Sequence, residues 1–216
     1  MSARASGFTL VELAIVLVIV GLILGGMLRA QELVYGARVK NLANDFRVIP
    51  AAIYAYHDRF HAIPGDDRNA TGHVPGASSA SGSGVGNGTI DSAWNSTAST
   101  DESRLFWQHL RLANLVSGPA DLSDPLYTPR NAMGGIVGVS SVMPAQLQIA
   151  GMSGDYQVCS SAVPGRFAKQ LDATLDDAQT DRGSVRAVPD GAPMPSPPVA
   201  TTAIDDSATY TVCMTF

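Results

Sequence analysis

The stretch from Phe8 to Leu28, FTLVELAIVLVIVGLILGGML, is 21 residues long and carries one charge, Glu12, and one hydroxyl, Thr9. As an α-helix rising about 1.5 Å per residue it spans about 30 Å, the thickness of a bilayer's hydrocarbon core. A cleaved secretory signal has a shorter apolar region ending in a small-x-small site, and Leu28-Arg29-Ala30 is a poor one. The segment therefore reads as a membrane-spanning helix. Positive charge does not fix its direction, because Arg4 and the initiator amine stand on one side and Arg29, Arg38 and Lys40 on the other. An acid inside such a helix is costly and needs a partner or a purpose. If the chain were cut between Gly7 and Phe8, the new amine would lie four residues before Glu12, one helical turn away on the same face. Glu12 would then have a cation in reach, its own or that of a neighbouring copy packed in register.

Gly7-Phe8-Thr9-Leu10-Val11-Glu12, behind a short leader holding Arg4 and before the apolar run, resembles the processing signal of type IV pilins and the pseudopilins of type II secretion. The resemblance implies that prepilin peptidase cleaves after Gly7, that Phe8 becomes the N-methylated terminus, and that Glu12 pairs with a neighbour's amine during assembly. It also implies a single-pass protein of the bacterial inner membrane with a periplasmic head, drawn by an inner-membrane assembly platform into a filament with other subunits. The organisation expected is a leader at 1–7, a transmembrane helix at 8–28, an amphipathic stalk helix at 29–60 and a globular head at 61–216. Gly21 and Gly25 add a small-xxx-small spacing that lets helices approach closely. Major pilins of the family carry a proline in this region, whereas here none precedes Pro50.

The 216 residues suffice for one modest head. A net charge of −5, with Lys and Arg scattered, leaves no basic stripe for nucleic acid, so none is expected as a partner. Leu42, Phe46, Ile49, Ile53, Tyr56 and Phe60 continue a helical apolar period beyond Arg29. Pro50 removes a backbone donor and predicts a kink or short break. Pro64-Gly65-Asp66 predicts the stop. From 71 to 100 the chain is dominated by Ser, Gly, Ala and Thr, which predicts a mobile loop. Ser99-x-x-Glu102 predicts a capping box opening a second helix, with Phe106, Leu110 and Ala113 toward the core.

Short alternating stretches then follow: IVGVSSV, LQIAG, DYQVCS, SVRAV and ATYTVCMTF. They predict a small antiparallel sheet, and with the long helix an α+β, pilin-like fold. In the last stretch Tyr210, Val212, Met214 and Phe216 share the face that should lie on the long helix. Cys159 and Cys213 fall on the other, more polar side. Two cysteines permit either a disulfide or two free thiols. In the exported head that the resemblance implies, a Cys159–Cys213 disulfide is expected.

Two constellations compete with a purely structural role. His57-Asp58-Arg59-Phe60-His61 has the i, i+4 histidines of a zinc helix, with Asp where the general base Glu would be. It frames the alternative reading, a membrane-anchored exported metal-dependent hydrolase. No third ligand is evident, and Phe60 completes the packing period. Asp172, Asp176, Asp177 and Asp181 form the densest acidic group and leave calcium open, although the spacing is not that of an EF-hand. His73 and His109 stand alone, and no nucleophile motif is present. The reading is a structural subunit without catalytic residues, metal or other cofactor.

Overall fold

The structure, a computed structural model, describes residues 9–82, 84–143 and 145–216. Its elements are α1 (Leu10–Phe60), α2 (Ala70–His73), α3 (Glu102–Leu112), β1 (Val137–Ser141), β2 (Tyr156–Pro164), α4 (Gly165–Leu175), β3 (Val185–Pro189) and β4 (Thr209–Thr215). Two compact units divide after Arg38, at Val39. The fold is α+β and pilin-like: a long N-terminal helix with an apolar span, and a small four-stranded antiparallel sheet.

α1 runs through Pro50 without a break. The missing donor costs one hydrogen bond, and the apolar face on either side of it holds the helix together. Val39, Leu42, Ala43, Phe46, Ile49, Ala52, Ile53 and Tyr56 are all buried, at the three- and four-residue spacing of one helical face. Tyr56 stacks on His109 of α3, and Tyr54 meets Phe216 edge-on just beyond β4. His61 then takes φ 53° and ends the helix, the left-handed stop common at helix C-termini.

The sheet has the order β1-β2-β4-β3. Its register lines Val139, Val158, Met214 and Val185 in one row and Val137, Ser160, Val212 and Ala187 in the next, on one face. α3 packs on β1, and α4 packs on β2, β3 and β4. On the opposite face Cys159 and Cys213 are direct cross-strand neighbours, 4.1 Å apart at Cα, and are joined by a disulfide. That face is not open to water. Trp94, Ile149, Met152 and Val188 bury the disulfide, with Met194 against them. A Cβ on Gly138 would meet the backbone oxygen of Trp94 at 1.9 Å, so only glycine lets that covering loop lie so close to β1.

Three further expectations need correction, and one helix was not foreseen. LQIAG is not a strand: a 3₁₀ turn at Ala145–Leu147 leads to Ile149, whose apolar side chain covers the disulfide rather than lining a sheet. α4 was not anticipated, although Phe167, Ala168 and Leu171 form its buried face. Ser99 does not cap α3, because the helix begins at Glu102 after Asp101 and Glu102 turns to the amide of Asp91, 2.7 Å away. The 71–100 loop is docked rather than mobile. Val74, Val85, Ile90 and Trp94 are buried, and Arg68 donates through Nε and Nη2 to the Val85 carbonyl. Its glycines and serines bury little themselves, but they let rigid neighbours reach its backbone. Ser141 Oγ accepts from the Ile90 amide, and Tyr156 donates its hydroxyl to Gly88 O.

The disulfide closes a separation of 54 residues, which on loop-closure entropy stabilises the head by about 4 kcal/mol. The double variant C159A/C213A should therefore lose about that much in denaturant unfolding, and thiol titration of the denatured, unreduced protein should find no free thiol.

Candidate functional site

Residues 10 to 34 of α1 leave their apolar side chains uncovered, with Leu10 88%, Leu22 72% and Leu33 75% exposed. The stretch is long and apolar enough to cross a membrane, and none of its apolar window is buried. Water cannot solvate such a surface favourably, so it requires lipid or other protein.

Glu12 stands at the start of this helix in a reciprocal arrangement with Thr9. The Glu12 amide donates to Thr9 Oγ1 at 3.2 Å, while Glu12 Oε2 accepts from the Thr9 amide at 3.1 Å and from its hydroxyl at 3.0 Å. This is a capping box, and it satisfies two of the donors that a helix start leaves orphaned. Sequence reasoning singled out Glu12 but overlooked Thr9, even though T-x-x-E is the signal it sought at Ser99. Gly7 and Phe8, the expected cleavage and methylation positions, lie outside the described residues.

Residues 2–28 match the model of the prokaryotic N-terminal methylation motif. The chain carries the prepilin-type signal of type IV pilins and pseudopilins. The match covers this segment alone, and no curated protein and no solved structure matches the chain. A prepilin signal implies processing by prepilin peptidase and assembly with other pilin subunits, and with the apolar helix it fits a membrane-anchored pilin.

The other candidate groups behave differently. His57 and His61 are exposed at the end of α1 with ring centroids 6.4 Å apart. Among the described residues no three His, Cys, Asp or Glu side chains gather to hold a metal ion. The acidic group at the C-terminal end of α4 and just beyond it is divided among separate tasks. Asp176 Oδ2 accepts from the Ser184 and Val185 amides, Asp177 pairs with Arg182 at 3.4 Å, and Asp172 is fully buried with neither oxygen in a well-formed hydrogen bond.

The histidines that look isolated in sequence are joined to a buried polar network beneath the docked loop. Asp67 Oδ2 accepts from the Tyr56 hydroxyl at 2.7 Å and lies 2.7 Å from His73 Nδ1. His109 accepts from the Gly65 amide at Nδ1, so its proton sits on Nε2 and is donated to Ser78 O. Burial lowers the His109 pKa and keeps the ring neutral. Asp66 accepts from the amides of Gly86 and Gly88, and its charge faces Glu102. Burial, reinforced by Asp66 and Asp91, pushes Glu102 up to about 7.

Burial also pushes Asp45 and Asp172 up to about 6. With Glu102 they hold protons more tightly in the folded head than in the unfolded chain. The stability each contributes is full below the ordinary carboxylate range and lost as pH rises through 6 to 7. His109 acts in the opposite sense, its effect setting in as pH falls below the ordinary 6.5. Burial raises Asp66 in the same sense, and the four raised carboxyls against one histidine predict that the head's Tm rises from pH 8 to pH 6. Glu102→Gln, which keeps an acceptor for the Asp91 amide, should flatten part of that rise in thermal scans across pH.

Proposed function

We propose that this protein is a structural pilin-like subunit and not an enzyme. In this reading prepilin peptidase cuts after Gly7 and methylates Phe8. Residues 8–28 then hold the subunit in the bacterial inner membrane with its head in the periplasm. The assembly platform draws it from that pool into a filament, a type II secretion pseudopilus or a type IV pilus. The observation that carries the reading is the methylation motif leading without interruption into an uncovered apolar helix.

The chemistry of Glu12 supports this order of events. In the free chain its carboxylate is held by Thr9, which keeps an acid at the membrane surface without a cation. Cleavage creates an amine one residue before Thr9. A neighbour's amine competes for the same carboxylate oxygen, and an ionic contact between two chains replaces a hydrogen bond within one. The subunit is read as free of resident cofactor, so added calcium should leave the head's Tm unchanged.

Intact-mass and N-terminal analysis of the protein from its native membrane tests the reading. A chain beginning at methylated Phe8 is expected, and one beginning at Met1 or near Ala30 would refute it. Glu12→Val should insert in the membrane as well as the native chain does but fall out of the sheared filament fraction in competition with it. Equal incorporation would remove Glu12 from the assembly mechanism.

A further inference from the structure

A groove of about 410 Å³ runs beside α1 in the head, walled by Val48, Ile49, Trp107, Leu115 and Val116. Asp45 sits at the edge of this apolar wall, half-buried, with Asn44 and Ser117 also lining the groove, and no side chain among the described residues pairs with it. Arg130 also borders the groove, but it donates to Gly134 O and makes no ion pair with Asp45. A carboxylate desolvated by apolar neighbours and left without a partner costs stability in the isolated chain. The same helix carries the converse. Arg38, Lys40 and Arg47 are exposed and no described residue pairs with any of them. One chain thus presents an apolar groove with an unmatched anion and, a few residues away, unmatched cations on long apolar stems.

We propose that the groove is an interface between copies of this chain, in which Asp45 receives Lys40 of the adjacent copy. The inference rests on the filament reading above, and the spacing favours Lys40 among the three cations. A neighbour's residue-8 amine reaching Glu12 is an offset of four positions. Lys40 reaching Asp45 is an offset of five, a difference of about 1.5 Å along a helix and within the reach of a lysine stem. The two contacts are thus compatible with one sliding position of the helices. An apolar groove accepts the lysine's methylenes while Asp45 takes its ammonium, so the pair specifies register as well as attraction.

The test uses the full chain in its native membrane, with the sheared filament fraction as readout. Asp45→Lys and Lys40→Asp should each lower incorporation about ten-fold through like-charge contact, and the double reversal should restore it to within about two-fold of the native chain. Asp45→Asn guards against a folding artefact: it should leave the head's Tm at pH 8 equal or higher while still lowering incorporation. In a D45C/K40C chain, oxidation should give a covalent ladder from filaments, and neither single-cysteine chain should give more than a dimer. Reversals that do not restore one another, or single reversals without effect, overturn the inference and leave the filament reading standing. A native chain that is never processed at Gly7 and never enters a sheared fraction overturns both.

Discussion

Burial of one face of α1 from Val39 to Tyr56 is the constraint on which the head depends. Those eight side chains are almost wholly withdrawn from water, and they place Tyr56 where its ring stacks on His109 and its hydroxyl reaches Asp67. The larger of them contribute about 1.5–3 kcal/mol each when fully buried, against about 0.5–1.5 kcal/mol net for a typical neutral hydrogen bond. The same helix shows the opposite behaviour before Arg38, where its apolar surface finds no cover within the chain. One secondary-structure element therefore answers to two solvents.

The polar network beneath the docked loop is the second layer of organisation. Asp66 and Asp67 follow the turn at Gly65, and they face different ways. Asp67 is tied back to α1 through Tyr56, and Asp66 reaches forward to the amides of Gly86 and Gly88. A segment with few apolar residues is thus held by its backbone as well as by Val74, Val85, Ile90 and Trp94, with carboxylates and a neutral histidine adding to that sparse packing. Gly65 itself is required, because a Cβ there would meet the Glu102 carbonyl at 2.3 Å in a chain already at φ 91°.

How much of this was legible follows the length and purity of each signal. The stalk's buried face was readable from Leu42 to Tyr56 because five apolar positions repeat at helical spacing. The alternation in Thr209–Thr215 likewise marked β4. LQIAG misled because a short apolar run does not say whether it pairs in a sheet or covers one. α4 was hidden by Asp172, a charged residue on the side of the helix that faces the core. At the assembly end Glu12 was conspicuous in an apolar run, whereas Thr9 was not, since a hydroxyl at a helix start is unremarkable until its bonds are seen. Asp45 could not be found from sequence. A lone acid on an amphipathic helix reads as solvated, and only the walls of Trp107, Leu115 and Val116 change its meaning.

Strand order in the sheet also has a bearing on time. β4 comes after β3 in the chain yet sits between β3 and β2, and it carries the second cysteine of the disulfide. Until β4 emerges, β3 has no neighbour to pair with and Cys159 has no thiol to join. For a head delivered across a membrane from its N-terminal side, the sheet can form only its β1–β2 pair before β4 arrives. Its closure is a single late event, and a subunit whose β4 has not yet crossed holds an open sheet edge that nothing within the same chain can fill.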